Sequence, residues 1–539
     1  MGQKKRPMGW LGIATLGVAL ASPLFVTGCR VSDHDVKRWE TTERGPYKLV
    51  AVVTHDKYDL NLRTQAALSL VRMPPRGGQR KGIAFLVDKY KDEDGETREG
   101  ALATLSEERR KQIVNGMAPE LVKQMQQPPP PRDEKTGRLA VDPSIPYKDA
   151  AFAMLSHEPT LVGDEKTRQD ITEALISWSQ TGFEDRIENG SQQYGVEQIM
   201  RFLGANSVKK LPDLITDQAF RIDRMASLIA DIGDEDTKRR GSEALVALAK
   251  KVNSPEWAAA QTAIVKKHNE TNNQKATDEQ VGVQVSKILD RRLNEEIFPA
   301  MKKVGGRASV DYLLSFAADT KNNDDRRKTA LAALEGRVDK NSAADLDRVF
   351  NIAKDDAASD AIRDVAFQRL GEFPKEQIVP KLYTLFEPKK WKVRWVAASL
   401  ILKTITTKGV PDFMAKLPKT PAGKMGMTEP LSYGQLIAKM EPPAGEPKPR
   451  DLVNQYLQSR DFGPKMVAIG SFYEGKKADR DALKPFEDDK TPVPKCDKED
   501  DCQWQCDVPK APGSKETEVK EVTTVGEVVK LCVIPSMDK

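Results

Sequence analysis

Apolar and small residues recur along this chain at helical spacing. In RRKTALAAL, residues 326–334, Arg327, Ala330 and Leu334 stand at i, i+3 and i+7. Those positions share one face of an α-helix. The same triplet returns as Arg63, Ala66 and Leu70, as Arg98, Ala101 and Leu105, and as Arg363, Ala366 and Leu370. Arg394, Ala397 and Ile401 fit with isoleucine last, and Arg168, Ile171 and Leu175 with isoleucine in the middle. GSEALVAL, from Gly241 to Leu248, keeps the small and apolar positions without the arginine. The pattern predicts helices whose small residue admits a close neighbour and whose leucine fills the gap beyond it. Preceding helices are predicted at 309–317 and 375–386.

Successive arginines lie at 63 and 98 and at 327, 363 and 394, differences of 35, 36 and 31. A period in that range marks stacked helical hairpins. Asp59, Asp94, Asp164, Asn323 and Ser359 stand four residues before their arginines and suit turns and N-caps. With these residues the pattern resembles the second helix of HEAT and HEAT-like repeats. The resemblance touches most of residues 36–490, including MVAIGSFYEGKKADRDALKPFEDD at 466–489. It implies an all-α fold, an α-solenoid of HEAT-like hairpins. It also implies an acidic–basic pair between adjacent turns, of which Asp59 and Arg63 are an example.

Prolines and polar runs punctuate the array. QQPPPPRD at 126–133 cannot stay helical, because consecutive prolines remove donors and clash with the preceding turn. The expected segments are repeats at 36–127, a Pro-rich linker or insert at 128–146 and the main array at 147–420. A Pro/Gly-rich linker at 421–450 and a last hairpin at 451–490 follow. KHNETNNQKATDEQ, 267–280, is expected to be a long loop, and a short helix is expected around Tyr433–Met440.

The N-terminus carries an address. Lys4, Lys5 and Arg6 precede an apolar run from Gly9 to Val26, the layout of a secretory signal. Val26-Thr27-Gly28-Cys29 resembles the lipobox of bacterial lipoproteins. That resemblance implies a signal at 1–28, acylation of Cys29, a tether at 29–35 and attachment to a membrane. Arg30 stands where an aspartate would mark inner-membrane retention, so the expected place is the outer membrane, facing the periplasm.

The C-terminus differs in kind. Cys496, Cys502, Cys506 and Cys532 fall within 37 residues, and none lies between Cys29 and Cys496. In an exported chain such clusters read as disulfides, here two, with three possible pairings. Zinc favours C-x₂₋₄-C pairs, which only Cys502 and Cys506 satisfy. Alternation and valine content predict strands at 502–508, 517–525 and 527–534, the last two meeting near Gly526. Residues 491–539 are thus expected to form a small Cys-rich, β-containing module.

Composition narrows the function. The chain is 39% hydrophobic and 31% charged, wetter than the about 45–50% apolar content of ordinary globular domains. Without Lys4, Lys5 and Arg6 it holds 82 basic and 80 acidic residues, with no basic block, so no nucleic-acid partner is expected. His34, His55, His157 and His268 are scattered and form no metal pair. Nucleophile-elbow, phosphate-loop and dinucleotide motifs are absent from the sequence, so neither cofactor nor catalysis is expected. One cluster stands out: Tyr383, Phe386, Trp391, Arg394 and Trp395, with Lys389, Lys390 and Lys392 among them. Aromatic and arginine side chains dominate binding hot spots, though a core reading of the same residues competes. The expected function is a lipid-anchored scaffold binding another envelope protein. The alternatives are an enzyme like the phycobilin lyases, which share the repeat, and a passive structural or assembly factor whose C-terminal module recognises the partner.

Overall fold

The computed structural model describes residues 31–75, 80–92, 94–133, 136–190, 192–355, 357–387, 391–421, 425–495, 503–510 and 516–537. Cys29, the apolar run before it, Lys389, Lys390, Cys496 and Cys502 lie outside these residues. The chain is mostly α-helical and solenoid-like. It divides into two compact units, Met1–Phe202 and Leu203–Lys539.

In the first unit, helices Gly45–Thr54 and Leu60–Arg72 form a hairpin. Leu60–Arg72 packs on Glu107–Met125, which packs on Glu165–Gln180. In the second unit the ladder is longer. Asp324–Ala333, Asp360–Leu370, Trp391–Thr404, Thr428–Ala438 and Phe462–Gly470 each contact the next. The repeated small and branched positions build this ladder: Ala66, Ala330, Ala366, Ala397, Leu70, Leu334, Leu370 and Ile401 are all fully buried. At the last rung the helices meet backbone to backbone. A Cβ on Gly434 would stand 2.3 Å from the Gly470 carbonyl carbon.

The repeated arginine closes the hairpin from within. Arg63 Nε donates to the Val53 carbonyl at 2.9 Å, and Arg327 Nε to the Ala317 carbonyl at 2.8 Å. Both acceptors lie in the last turn of the preceding helix, whose final carbonyls lack intrahelical partners. Arg363 reaches the Ala358 and Asp355 carbonyls in the turn before its own helix. The residue four earlier acts as an N-cap: Asp59, Asp164 and Asn323 accept from the backbone N–H three residues on. The acidic partner of Arg63 is Asp56, 3.6 Å away, while Asp59 caps the helix. The Arg98 match is coincidental in structural terms. Arg98 ends a two-residue strand, Thr97–Arg98, paired with Tyr90–Lys91, and only one helical turn, Ala101–Thr104, follows.

Four segments refine the expected boundaries. The end of the expected tether, Asp33 to Asp35, already belongs to a helix, Asp33–Trp39, which begins behind a Ser32/Asp35 capping box. The proline run and its sequel pack onto the first unit, with Pro129 against Gly182 and Arg132 paired to Asp185 at 2.6 Å. The polar run 267–280 is mostly helical. Pro255–Thr271 and Asp278–Asp290 form a hairpin around Val265, Val281 and Val285. Most polar side chains there face solvent, while Ala258, Ala276 and Ile288 pack on the three valines and buried Asn269 donates to Gln284 at 3.1 Å.

The fourth is at the C-terminus. Strand Gln505–Pro509 pairs antiparallel with Thr517–Glu521, Cys506 opposite Lys520. The expected strand at 527–534 is helical instead, behind a Thr524/Glu527 capping box. Val525, Val528, Val529, Cys532 and Val533 are its buried face. Their spacing is helical, and it overrides the β-preference of valine. Cys506 is disulfide-bonded to Cys532, tying strand to helix. The module leans on the last hairpin: Trp504 Nε1 donates to the Met425 carbonyl at 2.6 Å, and its ring meets Phe462 edge-on.

Candidate functional site

The aromatic–basic cluster is taken apart by the fold. Trp391 and Trp395 share helix Trp391–Thr404, but Tyr383 and Phe386 belong to the preceding hairpin arm. Phe386 packs edge-to-face on Tyr383 at 5.5 Å and on buried Phe413 at 5.8 Å, and Phe413 continues to Tyr433. Arg394 is buried. Its guanidinium makes a two-pronged bond to Glu429, Nε to Oε1 at 2.9 Å and Nη2 to Oε2 at 3.0 Å. Tyr433 donates to the same carboxylate at 3.1 Å. Burial raises the Glu429 pKa, and Arg394 and Tyr433 oppose the rise. This arginine therefore serves the interior. Its helix docks on the next repeat through Glu429, where Arg63 and Arg327 bind their own hairpin.

What remains at the surface is a groove of about 500 Å³ across three successive helices, Asp360–Leu370, Trp391–Thr404 and Thr428–Ala438. Phe367, Trp395, Val396, Leu400 and Leu436 supply its apolar lining. Lys403 and Lys439 stand at the C-terminal ends of their helices and have no ion-pair partner among the described residues. Trp395 Nε1 and Ser399 Oγ, one turn apart, make no hydrogen bond among the described residues. Tyr383, Phe386 and Arg394 line a separate pocket of about 390 Å³ with Lys416 and Lys419.

A second polar centre lies in the first unit and has no counterpart among the candidate residues read from sequence. Helix Ile145–Ser156 is nearly all buried and carries Lys148 and Asp149 inside it. Lys148 Nζ lies 2.6 Å from Asp149, donates to the Tyr194 carbonyl and to Gln192, and stands 5.0 Å above the Trp178 ring. Asp149 also faces Arg80 at 3.1 Å and accepts from the Gln193 and Tyr194 backbone N–H groups. Arg186 pairs with Asp142 at 3.1 Å and stacks 4.6 Å from Trp178. Burial pulls the Lys148 pKa down to about 8, against Asp149 and Asp142, which hold it up. The available signal was a Lys-Asp pair embedded in the apolar run 145–155.

This network backs a cleft of about 1240 Å³ near the Tyr90–Lys91 strand. Tyr47, Phe85 and Tyr90 form its aromatic side, Phe85 stacked on Tyr90 at 4.0 Å and Tyr47 edge-on to Phe85 at 4.9 Å.

The histidines are scattered over separate helices. His55 and His157 follow the last residue of their helices, and His268 lies in the last turn of its own. Among the described residues no group of three His, Cys, Asp or Glu side chains is placed to hold a metal. Nor is any described helix long and apolar enough to cross a membrane. Compared with known proteins, the chain matches no family model and no curated protein.

Proposed function

We propose that this protein is a lipid-anchored scaffold of the bacterial envelope that binds another protein through its helical-repeat surface. The observation that carries the reading is the groove across three consecutive repeat helices. Trp395 is an aromatic anchor within it, and two unpaired lysines stand at one end. Adjacent helices of a repeat array present such continuous surfaces without dedicated loops. A partly buried tryptophan in an apolar groove is the residue type that concentrates binding energy at interfaces. Acylation of Cys29, on the lipobox resemblance, supplies the anchor, because several acyl chains on one residue hold where one holds only marginally.

The test uses the intact acylated chain with a photo-crosslinking residue at Leu400. It is expected to trap a defined envelope protein that the same residue at exposed Lys340 does not trap. Trp395→Glu is expected to abolish the crosslink and weaken binding of the purified partner at least tenfold. Identical products from both positions, or binding indifferent to Trp395→Glu, would overturn the reading. Deleting 491–539 separates this surface from the C-terminal module. Loss of partner binding with helicity retained would transfer the role to the module.

A further inference from the structure

The cleft of the first unit is an electrostatic anomaly in a nearly balanced chain of 85 basic and 80 acidic residues. Among the described residues five cations line it, Arg44, Arg80, Lys81, Lys89 and Lys91, against two carboxylates, Glu43 and Asp88. Lys89 is paired with Glu99 at 2.9 Å, and Arg80 with Asp149. Lys81 and Lys91 are exposed and have no ion-pair partner among the described residues.

Behind the wall lies the buried network of Arg80, Lys148 and Arg186 with Asp142 and Asp149. Lys148 and Arg186 are further satisfied by backbone carbonyls and by the Trp178 ring. Arg80 belongs to both assemblies: it faces Asp149 and lines the cleft. The cleft is therefore where an anion has room beside two exposed lysines and a guanidinium that the network holds in place.

The other half of the lining is apolar. The Phe85–Tyr90 stack, Tyr47, Met73, Pro46 and Pro74 provide contact area with no charge. A small inorganic anion would leave that surface wet. An anionic head joined to an apolar body uses both halves.

We infer that this cleft binds a phosphate-bearing amphiphile, the headgroup of an anionic glycerophospholipid. The geometry of the N-terminus favours that source, on the reading that Cys29 is acylated. Helix Asp33–Trp39 starts behind its Ser32 cap, only three residues after Cys29. Three residues span at most about 11 Å. An acylated Cys29 thus holds the first unit against the bilayer surface, and Glu43 and Arg44 of the cleft follow within the next turn of chain. Anionic headgroups draw surface cations at about 1 kcal/mol each within a Debye length.

The experiment is native mass spectrometry of the full-length chain released from non-ionic detergent. Dihexanoyl phosphatidylglycerol, dihexanoyl phosphatidylcholine, inorganic phosphate and a glutamate-rich peptide serve as separate probes. Adducts of the phosphatidylglycerol in at least tenfold excess over the phosphatidylcholine are expected. The Lys81→Glu/Lys91→Glu double variant should lower them at least tenfold, and Lys403→Glu in the second unit should not change them. Both cleft lysines are exposed, so the variant keeps its fold, which far-UV circular dichroism verifies. The milder Lys81→Ala/Lys91→Ala pair is expected to lower occupancy about threefold. Equal binding of the two lipids, or indifference to both lysine pairs, overturns the inference. Lysine-sensitive adducts of phosphate alone, or of the peptide alone, overturn the lipid source. Because the probes are short-chain and added in solution, binding does not depend on Cys29. Metabolic labelling with radioactive palmitate tests acylation separately, so the two readings fail independently.

Discussion

The two units solve the same packing problem with different interiors. In Leu203–Lys539 the interior is a regular ladder of Ala, Leu and Ile, and its buried Arg394 is matched one-to-one with Glu429. In Met1–Phe202 the helix Ile145–Ser156 places a lysine and an aspartate among apolar neighbours, and Arg80, Arg186 and Asp142 join them in a shared network. A matched pair rigidifies a contact and needs nothing further. A shared network is stable only while neighbouring carbonyls and rings satisfy every member. The comparison teaches where to look for ligand chemistry in a repeat protein: where a repeat departs from its own economy of small and branched residues.

The sharpest way to break that comparison is Asp149→Leu. It leaves Lys148 and Arg80 without their shared carboxylate, and a loss of about 3–5 kcal/mol is expected by urea unfolding. A loss below about 1 kcal/mol would show that the network is not under charge stress. Next comes Arg394→Met, which strands Glu429 and is expected to cost about 3 kcal/mol. Arg394→Met/Glu429→Leu should recover most of that loss, since a matched pair is replaceable by packed apolar groups. Titration sharpens the contrast further. The folded pKa of Lys148 is about 8 against an ordinary 10.5, so between those values the unfolded chain holds a proton that the folded chain does not. Stability of the first unit should therefore rise with pH across that window, by an amount of order 1–3 kcal/mol. The rise, measured by denaturation at several pH values, should be missing in Lys148→Met. The smallest effect separates true repeats from look-alikes. Arg327→Met loses the bond to the Ala317 carbonyl and should cost about 1–2 kcal/mol. Arg98→Met, at an exposed strand end, should stay within about 0.5 kcal/mol, read from the same unfolding curves.

Much of the ladder was legible because helix periodicity and a small residue at a fixed offset are local signals. Ala330 and Leu334 are buried for the reason their spacing implies, and Asp59 and Asn323 cap where a short polar residue precedes a helix. The arginines were visible as a pattern, but their partners were not. Arg63 and Arg327 reach a carbonyl ten residues back, and Arg394 a glutamate thirty-five residues on. Such a choice depends on which helix end lies within reach, and no local rule encodes it. Valine content misled at 527–534, where the spacing of Val525, Val528, Val529 and Val533 carried the better information. The groove around Trp395 was half visible: the tryptophan drew notice, while Phe367, Leu400 and Leu436 acquire meaning only when three helices are side by side.

By itself, then, the sequence determined the helical class, the hairpin repeat, the caps and the residues that face inward, because these follow from periodicities of a few residues. Tertiary structure alone decided which cations stay at the surface, which are sealed with carboxylates, and where two clefts open between helices. Charges and cavities obey distances in space, and residues 80, 142, 149 and 186 become neighbours only after the chain has folded.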